Sequence, residues 1–205
     1  MQTKTISTYH PKAIPDALEV LKSGGLVAFP TDTVYGLGAL AFDGKAVEQI
    51  YIVKERPDEK SLPILIADPD DLPKVAVDVS SIAVKLAARF WPGPMTLVMP
   101  KHPDLPDAIS STPTVGVRVP DHTVARMLLH YAGPMAVTSA NISGRPSPVT
   151  AHEVLEQLDG RIALILDGGQ TPGGIPSTVV NCLGEEPVIV RQGPISMEHI
   201  LKMLG

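Results

Sequence analysis

Short unbroken apolar runs alternate along this chain with segments whose apolar residues recur every three or four positions. The first rhythm marks buried strands and the second marks helices with one face on a core. Residues 11 to 23, PKAIPDALEVLKS, set Ile14, Leu18 and Leu21 at helical spacing, and Gly24-Gly25 ends the pattern. Leu26-Val27-Ala28-Phe29 follows as a short apolar run stopped by Pro30, which predicts a buried strand entering a loop. From Asp43, the spacing of Val47, Ile50 and Val53 predicts a second helix, with the polar segment KERPDEKS behind it and Pro57 as a stop.

Pro63 to Ala67 reads as another buried strand, and residues 80 to 90 as a helix capped by Ser80. Strands are predicted at 95 to 99, 115 to 119 and 135 to 138, with HTVARMLLHYAG between the last two as a helix closing on glycine. Three more strands fall at 162 to 166, 177 to 183 and 187 to 191, and a short helix at about 194 to 203 follows. This succession predicts an α/β fold with a mixed, twisted β-sheet and flanking helices. Residues 144 to 150 and 167 to 176 read as loops inside the domain, and no repeat, heptad or low-complexity tail is visible.

Composition narrows the picture. The 205 residues, 44% of them hydrophobic, suffice for one substantial core, so residues 1 to 205 are expected to form a single domain. Aromatic residues are only 4% while there are 21 prolines and 17 glycines, which implies an aliphatic core joined by many defined turns. The net charge of -5 argues against coating nucleic acid by bulk attraction, so any RNA contact needs a local basic patch. A single cysteine, Cys182, rules out an internal disulfide framework and a thiolate zinc cluster. The first residues lack a secretory signal and no run approaches the roughly 20 apolar residues of a membrane span, so a cytoplasmic, non-membrane protein is expected.

Four groups of residues could carry chemistry. Pro30-Thr31-Asp32-Thr33-Val34-Tyr35-Gly36-Leu37-Gly38 gathers hydroxyls and glycines at a strand end, a favoured ligand position in α/β sheets, although a capped turn uses the same residues. Lys54-x-Arg56-Pro57 with Lys60 suits a polyanion, yet Glu55, Asp58 and Glu59 could balance it as a solvated charged face. In Thr138-Ser139-Ala140-Asn141-Ile142-Ser143-Gly144, Ser139 and Asn141 could project to the same side of an extended segment, or act as a helix cap. Arg118 and Arg191 end apolar strands, where burial requires either a bound anion or an internal salt bridge.

The chain has no GxxxxGK[ST] phosphate loop, no complete dinucleotide fingerprint, and no GxSxG, HExxH or CxxC. No metal site is expected, because the six histidines lack ligand spacing. His10, His102 and His122 read as loop or cap residues, and Cys182 as a small core residue.

Taken in order, PTDTVYGLG from Pro30, KERPDEKSL from Lys54, PGPMT from Pro92, VRVP from Val117, TSANISGRPSP from Thr138, STVV from Ser177 and RQG from Arg191 resemble the YrdC family over nearly the whole chain. The resemblance implies a YrdC-like, RibB-like α/β fold around a large concave cavity. It also implies an L-threonylcarbamoyladenylate synthase, a nucleotidyltransferase that joins L-threonine, bicarbonate and ATP, releases pyrophosphate and serves threonylcarbamoyladenosine modification of tRNA. By position, it assigns Lys54, Arg56, Ser139 and Asn141 to the nucleotide phosphates, and Thr114, Ser147 and Arg191 to other nucleotide contacts. It assigns Thr31, Lys60, Arg118 and Ser177 to threonine, and implies Mg²⁺ on the departing phosphates.

Implied partners are the tRNA threonylcarbamoyl transferase proteins that receive the product, with tRNA or double-stranded RNA contact left open. Lys60-Ser61-Leu62 departs from the Asn-Pro-Leu of many relatives, which weakens the role of Lys60. The chain stops shortly after Arg191, as expected of the short, single-domain form. Two competing readings are a paralogue acting on another substrate and an RNA-binding module without catalysis; the acidic balance and the scarcity of aromatics disfavour the second.

Overall fold

A computed structural model describes residues 2–204. Its ten strands are β1 (Lys4–Ser7), β2 (Val27–Phe29), β3 (Gly36–Leu40), β4 (Ile64–Leu65), β5 (Met95–Pro100), β6 (Thr114–Arg118), β7 (Met135–Ser139), β8 (Leu164–Asp167), β9 (Thr178–Asn181) and β10 (Val188–Arg191). They form one mixed sheet in the order β1-β8-β2-β3-β7-β4-β6-β5-β9-β10. Six helices flank it: α1 (Ala13–Lys22), α2 (Gly44–Lys54), α3 (Ser81–Phe90), α4 (Thr123–Ala132), α5 (Ala151–Leu158) and α6 (Met197–Leu204). Among the described residues no helix is long and apolar enough to cross a membrane.

Strand alternation splits the core into two layers. In β2, Ala28 points into one cluster with residues of α2, α3, α5 and α6, whereas Val27 and Phe29 point into another with α1 and α4. The helices start and stop where their end residues dictate. The Asp43 side chain accepts from Ala46 N at 3.1 Å, Ser80 from Ala83 N at 3.3 Å, and Gly133 closes α4 at φ 83.

The expected mixed α/β sheet is present, with four differences in detail. The end of the Pro30 motif, read as loop, is strand β3, paired antiparallel with both β2 and β7. Its glycines hide it from propensity but are required there. A Cβ on Gly36 would lie 2.8 Å from Val137 Cγ1, and one on Gly38 would lie 2.8 Å from Met135 Cε. Helix α5 and edge strand β1 were not anticipated. The strand predicted at 177 to 183 ends at Asn181, whose side chain accepts from Leu183 N at 2.9 Å and turns the chain.

Candidate active site

Helices α1 and α4 leave part of their face of the sheet open, and the strands there alternate between core and cavity. Leu97 of β5, Val115 and Val117 of β6 and Val180 of β9 point into the larger core cluster. Their neighbours Thr96, Val98, Gly116, Arg118 and Val179 line a cavity of about 370 Å³, within the usual range for small-molecule sites. Gly116 keeps the floor low, since a Cβ there would meet Thr96 Cγ2 at 2.9 Å.

Three guanidinium groups line the cavity, Arg56 and Arg191 held by neutral oxygens alone and Arg118 by neutral oxygens and a carboxylate. Arg56 donates to Lys60 O at 3.1 Å and Ser61 O at 2.8 Å. Arg191 donates to Ser177 O at 3.2 and 2.8 Å and to Ser177 Oγ at 3.2 Å. Arg118 donates to Gly93 O at 2.9 Å, to Thr33 Oγ1 at 3.1 Å and to Asp32 Oδ1 at 2.5 Å. Burial lowers the pKa of all three. The charge of Arg56 lowers Arg191 further; at Arg118 the Asp32 carboxylate opposes the lowering and the charge of Arg191 adds a little to it, so the three lie within electrostatic reach of one another. A row of cations that repel one another and keep unused N–H donors favours an anionic ligand.

The Pro30 motif supplies an oriented hydroxyl relay. Thr31 Oγ1 donates to Val34 O at 2.7 Å, so in its 3.0 Å bond with Thr33 Oγ1 it is the acceptor. Thr33 in turn accepts from Arg118, which fixes both hydroxyls. Tyr35 anchors this loop from beneath, donating its hydroxyl to Gly169 O at 2.8 Å and accepting from Gly168 N at 3.1 Å. Burial pushes its phenol up to about 12, so it stays neutral.

Lys54 lies behind the wall. Only 1% exposed, it donates to the backbone carbonyls of Asn141 and Ser139, the latter at 2.5 Å. Ser139 Oγ donates to Asn141 Oδ1 at 2.5 Å, and Asn141 Nδ2 donates to Ile142 O at 2.9 Å and Arg145 O at 2.7 Å. Desolvation first, and then the charge of Arg56, push the Lys54 ammonium down to about 7. The 139–141 turn is thus held rigidly from the back while Ser139 faces the cavity.

Thr31, Arg56, Arg118, Ser139, Ser177 and Arg191 therefore meet around one cavity. Lys54 and Asn141 stand one layer back. Lys60, Thr114 and Ser147 lie outside the lining: Lys60 is exposed and offers only its carbonyl to Arg56, and Thr114 bonds Thr112 Oγ1 at 2.9 Å. Of the two options for the strand-end arginines, Arg118 takes the internal salt bridge, with Asp32. Among the described residues Arg191 has no carboxylate within 4.0 Å. Sequence reading assigned no role to Asp32, Thr33, Tyr35, Ser61 or Thr96, although all but Ser61 and Thr96 fall inside the Pro30 motif.

Comparison with known proteins places this arrangement. The Sua5/YciO/YrdC family model, described as "Telomere recombination", matches residues 19–193. The chain belongs to the Sua5/YciO/YrdC family. It is 46% identical over 187 residues to the threonylcarbamoyl-AMP synthase of Pyrococcus abyssi, covering 90% of this chain and 55% of the relative. It is 44% identical over 206 residues to the threonylcarbamoyl-AMP synthase of Bacillus subtilis, covering 99% and 59%. The chain thus spans a little over half the length of these two relatives. The crystal structure of P. abyssi Sua5 complexed with L-threonine superposes with a TM-score of 0.94 at 42% identity, covering all of this chain and 61% of the other.

In this Sua5/YciO/YrdC chain three histidines and the cysteine lie outside the cavity lining. His10, His102 and His122 accept backbone N–H groups in turns or at the start of α4. Cys182 is buried, and burial pushes its thiol up to about 12, which leaves it unreactive. Among the described residues no group of three or more His, Cys, Asp or Glu side chains could hold a metal ion. The carboxylate beside the cavity, Asp32, is taken by Arg118. These residues do not fit a protein-held Mg²⁺.

Proposed function

We propose that this chain condenses L-threonine, bicarbonate and ATP into threonylcarbamoyl-AMP and pyrophosphate, as a cytoplasmic enzyme whose product passes to tRNA-modifying transferases. The observation that carries the reading is the row of three carbonyl-held guanidiniums beside a fixed hydroxyl relay in one cavity. Relatives named threonylcarbamoyl-AMP synthase at 46% and 44% identity support it, as does the structure of a relative complexed with L-threonine.

The chemistry asks for what this cavity has. A carbamate is a weak, short-lived nucleophile and ATP is a polyanion, so both must be held together against their mutual repulsion and away from water. Arg56 and Arg191 carry the phosphates and stabilise charge as the carbamate oxygen attacks the α-phosphorus and pyrophosphate departs. Ser139, oriented by Asn141 and by the Lys54 clasp behind it, supplies a fixed hydroxyl oxygen on the same side. Arg118, with Thr31, Thr33 and Ser177, forms the threonine end. Magnesium enters only with the triphosphate, as part of the substrate.

Pyrophosphate release from ATP, with threonine and bicarbonate omitted in turn, tests this. Release that requires both supports the synthase. Release with neither, or tight RNA binding by a protein that leaves ATP intact under every condition, contradicts it.

A further inference from the structure

The three guanidiniums are not equivalent. Arg118 has a carboxylate partner, Asp32, at 2.5 Å, with the two side chains 7% and 11% exposed. Among the described residues neither Arg56 nor Arg191 has one within 4.0 Å. Asp32 itself is not part of the cavity lining, and no bond to its second oxygen is made by the described residues. It therefore acts on a ligand through Arg118 and through its field.

Building on the synthase reading, we propose that Asp32 sorts the two anionic substrates. By neutralising Arg118 it keeps that end of the cavity for the amino acid and confines the polyphosphate to Arg56 and Arg191. A polyphosphate carries several negative charges and gains most from cations without a counter-ion. At Arg118 it would meet a pair of zero net charge and a carboxylate of its own sign, and like-charge juxtaposition in a partly desolvated site is unfavourable. A free amino acid has no net charge at neutral pH. Its carboxylate can use the guanidinium N–H groups of Arg118 that Gly93, Thr33 and Asp32 leave open, while the field of Asp32 favours its ammonium end.

Without such a device the row would be symmetric in charge, three guanidiniums lining one cavity with no carboxylate partner among the described residues. A triphosphate could then slide along three similar cations and occupy the threonine end. Asp32 breaks that symmetry. It is a specificity residue rather than a catalytic one.

Calorimetric titration of the purified protein with sodium tripolyphosphate and with L-threonine tests this without turnover. In the wild type the two should bind together, with threonine affinity changing less than about twofold at saturating tripolyphosphate. In Asp32→Asn, checked for folding by thermal melting, tripolyphosphate should bind roughly tenfold more tightly and displace threonine, and Asp32→Glu should restore independent binding. Independent binding that persists in a folded Asp32→Asn protein would overturn the sorting, and Asp32→Ser serves for the same titration if the Asn variant does not fold. Mutual exclusion in a wild type that still releases pyrophosphate would overturn the sorting and leave the synthase reading intact. Binding of neither ligand would overturn both.

Discussion

Lys54 and Arg56 stand two residues apart in a motif that looks like one cationic cluster, yet they end on different sides of the cavity wall. Lys54 closes α2 with its ammonium buried against the Ser139 and Asn141 carbonyls, while Arg56 reaches the cavity. The residue between them makes the difference. Glu55 adopts a left-handed conformation at φ 53, and Arg56 N returns to Tyr51 O at 2.9 Å, which ends the helix and redirects the chain. Charge at neighbouring positions therefore serves two purposes here: one cation stiffens the wall and the other faces the cavity.

Replacing Lys54 by Ala should produce the largest effect. It removes the donors to two buried carbonyls and the aliphatic stem that fills the space beneath them, so the domain should lose about 2 to 4 kcal/mol in urea unfolding and nearly all turnover. A variant of unchanged stability with a defect confined to the KM for ATP would place Lys54 on the ligand side instead. Arg56→Ala should do the reverse: about a hundredfold loss in kcat/KM for ATP with little change in melting temperature, because its partners Lys60 O and Ser61 O lie where water can replace it. A fall in melting temperature as large as that of Lys54→Ala would erase the contrast.

The smallest effect is on pH. Lys54 titrates at about 7 in the folded protein against 10.5 ordinarily, so between those values the unfolded chain binds more protons and stability rises with pH. Below pH 7 both states hold the proton and the full cost of burying the charge is present. The urea midpoint of the wild type should therefore climb from pH 7 to 9 relative to that of Lys54→Met. Parallel curves for the two proteins would contradict the buried-ammonium assignment.

Much of this architecture was legible because apolar rhythm and end residues agree, as in α2 with Asp43 and α4 with Gly133. What was missed has physical causes. Strand β3 carries two glycines because neighbouring side chains occupy their Cβ space, so propensity points away from strand. Helix α5 did announce itself through Thr150 and Glu153, three apart, which form a capping box in the structure. At the site, motif spacing pointed to Arg56, Arg118, Ser139 and Arg191. It could not reveal that Lys54 is turned inward or that Asp32 neutralises Arg118, since both depend on pairings across the sheet, 85 residues or more apart in sequence.

Mass spectrometry of the product formed from ATP, L-threonine and ¹³C-bicarbonate tests most directly whether the arginine-lined cavity joins all three. The account predicts threonylcarbamoyl-AMP carrying one ¹³C in its carbamoyl group, and none from an Arg118→Ala protein. Consumption of ATP by the wild type without any labelled adenylate would contradict it.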